Sequence, residues 1–296
     1  MSYKIKKLRW SKSISLKKKC MTYFRILFPR LSKQLFFDCM TKKKGIIQRI
    51  NDIQLLILGS SHAKWGFDSN MVQNSFNLGT DNQDLYSSYT LLKSYAPKMK
   101  NLKSVILFYS LFSPGFELAK TRSYRDICLH HYIFDIPYTS NCIKKYKRAY
   151  KHMLKKFEDS MINYKKFSGY IPTNTIEEQN ETHVRDRVNR HVRENQRKPS
   201  QHIYLDKILK LCRDYGVKLT IVIAPLRKDF IDILLSENYS IDGLFKDVHH
   251  WAQQNEIPIK NYIGSLQFGN LNFKDCDHLN ASGASILTAL IMEQLF

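Results

Sequence analysis

Residues 53–59, Ile-Gln-Leu-Leu-Ile-Leu-Gly, form an apolar run that stops at a glycine and passes directly into Ser60-Ser61-His62. A strand that is apolar on both faces has to be covered on both faces, which is the situation of a parallel sheet sandwiched between helices. The same texture returns in SFNL (Ser75 to Leu78), SVILFYSLF (Ser104 to Phe112), KLTIVIAP (Lys218 to Pro225) and, more weakly, IPIKNYI (Ile257 to Ile263). Helical spacing fills the intervals near 63–71, 84–95, 204–216, 240–255 and 280–296. This order predicts an α/β chain, a three-layer α/β/α sandwich on a mainly parallel sheet of roughly five strands with right-handed crossovers. Ligands of such sheets gather at the carboxyl ends of the strands.

At 296 residues and 43% apolar content the chain can bury a sizeable core, enough for one large α/β domain over 51–296. The formal charge of +21 is unevenly placed, because residues 1–50 hold fifteen Lys and Arg against one acid, Asp38. An arm of this kind meets nucleic acid, anionic lipid or an acidic polymer. The absence of zinc-finger spacing, of an RNA-binding aromatic signature and of a helix-turn-helix pattern leaves nucleic acid the least favoured of these partners. Within the arm, Cys20 to Cys39 reads either as an interfacial amphipathic segment, kinked or split at Pro29, or as a helix packed on the domain's own surface.

No stretch reaches the ~18 apolar residues of a membrane span, and no signal-peptide core is visible, so the expected location is cytoplasmic, with peripheral contact at the inner membrane face. The six cysteines lack C-x-x-C spacing and fit reduced thiols. Residues 113–200 differ in texture, with abundant Tyr, His, Lys and Arg, and read as an insertion carrying charged helices near 142–159 and 182–198. The adjacent pairs His130-His131 and His249-His250 point their side chains apart, so neither makes a two-ligand metal site, and no metal or organic cofactor is expected.

Ser61 stands where the first strand must turn sharply into a helix. Gly59 permits the turn, and a helix N-terminus surrounds Ser61 with free N–H groups and a positive dipole end, features that favour a developing oxyanion. The ordinary reading of a serine here is an N-cap. Over two hundred residues later, Asp275 and His278 lie three apart just before the last helix. One short turn can direct both to the same mouth of the sheet, as orienter and base of a Ser-His-Asp system.

In these residues the chain resembles the SGNH, or GDSL-like, hydrolases, and within them the branch related to bacterial polysaccharide O-acetylation proteins. Gly59-Ser60-Ser61-His62 is similar to the first family block, whose third position is the nucleophile. NLGTDNQDLYSSYTLLK (Asn77 to Lys93) is similar to the second block, which supplies an oxyanion N–H, and Asp275-Cys276-Asp277-His278 matches the D-x-x-H of the last. The resemblance covers Ile53 to the end, apart from the insertion, and implies a flavodoxin-like sandwich. One departure is plain: the third block's asparagine in G-x-N-D has no counterpart in FYSLFSPG (Phe108 to Gly115), where Ser110 or Ser113 would have to substitute. Losing one such donor costs about 10²- to 10³-fold in rate.

The resemblance implies acyl transfer in two steps, with Ser61 as nucleophile, His278 as base and Asp275 as orienter. The oxyanion would be received by the N–H of Ser61 and that of Gly79 or Asn82. His62 is expected to point away down its helix as a local hydrogen-bonding residue, and Cys276 to be a bystander thiol. Arg122, Tyr124, Arg125, His183, Arg187 and His191, all in the insertion, combine aromatic surface with donors suited to sugar hydroxyls or acidic groups, while solvated structural roles remain their alternative. The expected function is that of a serine esterase or O-acyltransferase acting on acyl esters of carbohydrate, with cell-surface polysaccharide synthesis as its expected setting. The alternatives are a catalytically degenerate scaffold or glycan-binding protein of the same fold, and then a basic nucleic-acid binder.

Overall fold

The computed structural model describes residues 33–157 and 163–295. The basic arm up to residue 32, most of the amphipathic Cys20 to Cys39 segment included, lies outside them. The described residues divide into two compact units, one of residues 33–40 with 122–157 and one of residues 41–121 with 163–295.

The larger unit is built on five parallel strands, β1 (Leu55–Leu58), β2 (Ser75–Asn77), β3 (Ser104–Phe108), β4 (Lys218–Ile223) and β5 (Ile259–Asn261), in the order β2-β1-β3-β4-β5. Pairing runs Leu56↔Phe76, Leu56↔Val105, Ile106↔Thr220 and Val222↔Lys260. Because strand side chains alternate, Leu55, Ile57, Ile106, Phe108 and Val222 share one face and belong to one core cluster with Ala63, Phe67, Leu287 and Ile291. Those four come from α2 (Ser61–Gly66), from the residue that follows it, and from α10 (Ala281–Leu295). Leu56, Leu58, Val105, Leu107 and Ile221 point the opposite way and are fully buried as well. There α7 (Ile203–Asp214) packs on β4 and on α3 (Leu85–Tyr95). Helices thus cover both faces, as the double-sided apolar strands require.

Between these lie α6 (Glu181–Asn195), α8 (Lys228–Ser236) and α9 (Ile241–Gln254). α8 occupies a stretch in which no element is expected from the sequence, and there Phe230, Ile233 and Leu234 form a buried stripe at helical intervals. α2 stops at Gly66, short of the expected residue 71, because Asp68 Oδ1 accepts from Asn70 N–H in a turn of its own.

A boundary is expected at residue 50, and the division between the two units falls at about residue 41. Helix α1 (Lys33–Gln48) runs across it, and its second half serves the sheet. β2 is an edge strand whose outward carbonyls need donors. Lys42, only 1% exposed, donates through Nζ to Asn77 O (2.9 Å) and Gly79 O (2.8 Å), while Arg49 Nη1 reaches Ser75 O (3.1 Å). Two charges expected in a partner-binding arm therefore complete the hydrogen bonding of the sheet edge. The insertion expected at 113–200 is divided too: residues 113–121 and 162–200 belong to the sheet unit.

The smaller unit contains the start of α1, α4 (Tyr124–Phe134) and α5 (Asn141–Lys156). α4 is a further helix that the charged texture concealed. Phe36 and Phe37 meet Phe157 at ring distances of 5.9 and 5.3 Å, and Tyr132 stacks on Tyr150 at 4.9 Å. Among the described residues no helix is long and apolar enough to cross a membrane.

Candidate active site

The order β2-β1-β3 means that the chain leaves β1 to one side and returns to the other, so the carboxyl ends of β1 and β3 form the topological switch point of the sheet. Gly59 ends β1 there with φ +136°, a conformation that L side chains rarely adopt, and a Cβ on it would lie 2.8 Å from both Cβ and O of Phe108. Ser60 then caps α2, its Oγ accepting from His62 N–H (3.4 Å). The capping role open to Ser61 from sequence is thus filled by its neighbour, and the Ser61 hydroxyl is left to other partners.

Its partner is His278. Nε2 of His278 lies 2.7 Å from Ser61 Oγ, and Nδ1 lies 2.9 Å from each carboxylate oxygen of Asp275. A tight loop closed by the Phe273–Leu279 bridge holds acid and imidazole together. Asp275 Oδ1 also accepts the backbone N–H groups of Asp277 (3.1 Å) and His278 (2.9 Å), so the carboxylate is oriented by the loop that it orients. Arg187 Nη2 approaches the same Nδ1 at 3.3 Å. A guanidinium only donates, so with the nearer carboxylate taking the Nδ1 proton, Arg187 is a neighbouring charge and not a hydrogen-bond partner of the ring. The tautomer that follows leaves Nε2 as acceptor for the Ser61 hydroxyl. Burial opposes charge on His278, but Asp277 and Asp275 more than offset it and raise its pKa above the ordinary imidazole value.

Behind the imidazole lies a second buried cluster. Asp277, its side chain 1% exposed, takes Arg187 Nε (3.0 Å) and Nη2 (2.9 Å) on Oδ1, with His62 Nε2 (3.3 Å) and His191 Nε2 (3.4 Å) beside Oδ2. Burial works against the Asp277 carboxylate, yet His278, Arg187, His62 and His191 hold it well below the usual carboxylate range. Burial lowers the pKa of His62 and lowers that of His191 further, leaving both neutral near pH 7. His62 does not point away, as expected from sequence: its Nδ1 meets Ser110 Oγ at 2.7 Å and its ring lies 5.2 Å from that of His278. Its residue number gave no hint of this, because the partner Asp277 is 215 positions distant.

His62, Asp277 and His278 present ligand atoms within 4.8 Å of one another, as do Asp275, Cys276 and Asp277. An ion there would have to displace the Arg187 guanidinium from Asp277 or the proton between His278 and Asp275, so the donor set does not fit a resident metal. The Cys276 thiol is fully buried and burial pushes its pKa up, away from thiolate chemistry.

The donor assignments change. Ser61 N–H is in the first turn of α2 and has no intrahelical acceptor. Gly79 is corrected: its N–H donates to Asn77 Oδ1 (2.9 Å), and a Cβ on it would strike Ala63 Cβ and Lys64 N at 2.7 Å. It is a close-packing glycine beneath α2, where Asn77 Nδ2 also donates to Ala63 O and Phe67 O (2.8 Å each). Asn82 follows in a turn with φ +55°. Ser110 and Ser113 do not replace the third-block asparagine: the Ser110 hydroxyl is engaged by Ser60 Oγ (3.0 Å) and His62, and Ser113 Oγ accepts from Ser110 N–H (2.9 Å).

Of the six insertion residues expected to meet substrate, α6 brings Arg187 and His191 to the cluster behind His278, where both serve Asp277. His183 is exposed in the first turn of the same helix. Arg122, Tyr124 and Arg125 belong to the smaller unit, in which Arg125 forks onto Asp126 (2.8 and 3.1 Å).

No protein-family model matches the chain, and no curated protein matches it. Among solved structures it is similar to a "putative acylhydrolase" from Bacteroides fragilis NCTC 9343, with 12% identity and a TM-score of 0.39 over 81% of this chain and 85% of that one. It is also similar to a GDSL-like lipase from Bacteroides thetaiotaomicron VPI-5482, with 12% identity and a TM-score of 0.40 over 82% and 87% of the two chains.

Proposed function

We propose that the chain is a serine esterase or O-acyltransferase of SGNH type that works through an acyl-enzyme on Ser61. The observation that carries this reading is the continuous contact from Ser61 Oγ to His278 Nε2 (2.7 Å) and from Nδ1 to both oxygens of Asp275 (2.9 Å). As Oγ attacks an ester carbonyl, its proton passes to Nε2 and the imidazolium is stabilised by Asp275. The carbonyl oxygen becomes an oxyanion at Ser61 N–H, with the N–H of Asn82 assigned as second donor. Collapse expels the alcohol, which takes the proton from Nε2 and leaves the acyl group on Oγ. Water or a sugar hydroxyl then gives its proton to Nε2 and attacks the acyl carbon, and Ser61 Oγ leaves as it takes that proton back from Nε2.

The carbohydrate ester as substrate rests on the resemblance of the three sequence blocks to polysaccharide O-acetylation proteins. We place the enzyme at the cytoplasmic membrane face, with the basic residues of 1–32 on anionic lipid. Flotation with phosphatidylglycerol vesicles tests this placement: loss of binding on deleting those residues supports it, and unchanged binding removes it.

Fluorophosphonate labelling tests the reaction. The wild type is expected to take the label and Ser61→Ala to lose it. A folded wild type that resists labelling gives way to the second reading, a scaffold or glycan-binding protein without turnover. That reading is favoured by one observation: both the Gly79 N–H and the Ser110 hydroxyl are already committed within the protein.

A further inference from the structure

His278 is bordered by two carboxylates, and the mechanism above uses only Asp275. Asp277 Oδ1 lies 3.4 Å from the same Nδ1, but its side chain turns inward behind the ring, where Arg187 occupies Oδ1 and His62 and His191 border Oδ2. Arg187 is 26% exposed at its side chain and comes from α6, ninety residues earlier. A buried carboxylate without a cation is strongly unfavourable, so the loop that presents His278 takes its native shape only with α6 in place. The two charges also stand on the same side of the imidazole, within 3.4 Å, and act on it with opposite signs.

We propose that Asp277 and Arg187 are positioning residues for His278, a buried ion pair that fixes the imidazole between Ser61 and Asp275 and balances the charge behind it. This inference rests on the acyl-transfer reading of Ser61 and His278. It gives α6 a part in the reaction, and it separates Asp277 from Asp275: the first faces Arg187 and the two neutral histidines, the second receives the Nδ1 proton and has Lys274 Nζ 3.6 Å from Oδ2. A pair that merely tied the loop to α6 would stabilise the fold and leave the proton affinity of His278 alone.

The test is the pH dependence of kcat/KM for p-nitrophenyl acetate in the full chain, read together with melting temperature. His278 acts as base only when neutral, so activity rises with pH through its pKa. Asp277 raises that pKa and Arg187 lowers it. Asp277→Asn is therefore expected to move the acid limb to lower pH, and Arg187→Gln to higher pH. In both, kcat is expected to fall by up to about 10²-fold with KM little changed, as for a misplaced base. Arg187→Lys keeps the charge and is expected to stay near the wild-type limb. Limbs that do not move, or that move in the same direction for both variants, overturn the proposal. If Arg187→Gln does not fold, Asp277→Asn and Arg187→Lys decide: the first must still move to lower pH while the second does not. Titration of His278 by NMR in protein carrying ¹⁵N-histidine reads the same shifts without turnover. A wild type inert to ester and fluorophosphonate thus refutes the acyl-transfer reading, whereas absence of the opposed shifts refutes this one.

Discussion

Replacing Asp275 by asparagine changes one atom and inverts the logic of the site. The carboxylate accepts the Nδ1 proton of His278 and two backbone N–H groups, those of Asp277 and His278. An asparagine can keep Oδ1 on the two backbone groups, which holds the loop, but then turns its NH₂ toward Nδ1. An NH₂ donates, so the imidazole must accept at Nδ1 and carry its proton on Nε2. Ser61 Oγ, 2.7 Å from that nitrogen, then faces a donor and has no acceptor for its proton. The corresponding tautomer error in a Ser-His-Asp site costs about 10⁴-fold in kcat, or about 5.4 kcal/mol of transition-state stabilisation at 1.36 kcal/mol per decade. The assay is release of p-nitrophenol from p-nitrophenyl acetate at pH 7.5, with melting temperature measured alongside. The expected result is a loss of about 10⁴ in kcat with little change in melting. A folded Asp275→Asn protein that loses less than tenfold would refute the reasoning, because Asp275 would then not be setting the tautomer.

Other consequences follow from individual contacts. Asn77→Ala removes the side-chain partners of Ala63 O, Phe67 O and Gly79 N–H, and is expected to destabilise the fold by about 2–4 kcal/mol in urea titrations. Gly59→Ala combines a positive φ with a Cβ 2.8 Å from Phe108, and an expected loss of about 2–5 kcal/mol should appear as a lower urea midpoint. Because burial lowers the pKa of His191 in the folded state, its contribution to stability is present above the unfolded value near 6.5 and is lost as pH falls through the folded value. Denaturation midpoints of the wild type are expected to drop between pH 7 and 5, and His191→Phe to flatten that drop; an equal slope in both would show that His191 does not titrate this way.

What the sequence reveals and what it conceals divide along a physical line. The strands were legible because burial on both faces writes a continuous apolar run, and Ser61 because a glycine ending such a run has few uses other than a tight turn. Asp275 and His278 were legible because both lie in one short loop. The partnership of Asp277 with Arg187 was not, since no local periodicity links a residue of the last loop to a helix ninety positions away. Arg187 and His191 read as surface groups for substrate, and only packing turns them inward. Gly79 misled for a related reason: a glycine that lets Asn77 and α2 approach looks in sequence like one that frees an N–H. Lys42 and Arg49 carried the opposite error, counted as charges for a partner while they satisfy the edge of β2. α4 and α8 are concealed in the sequence because short apolar stripes sit among charged neighbours there.

The central claim is that Ser61 takes an acyl group from an ester, and mass spectrometry of protein quenched during turnover of p-nitrophenyl acetate tests it most directly. The account requires one added acetyl group, located on the peptide that carries Ser61, present in the wild type and absent in Ser61→Ala. An acetyl group found only on other residues, or equally in the Ser61→Ala protein, would contradict it.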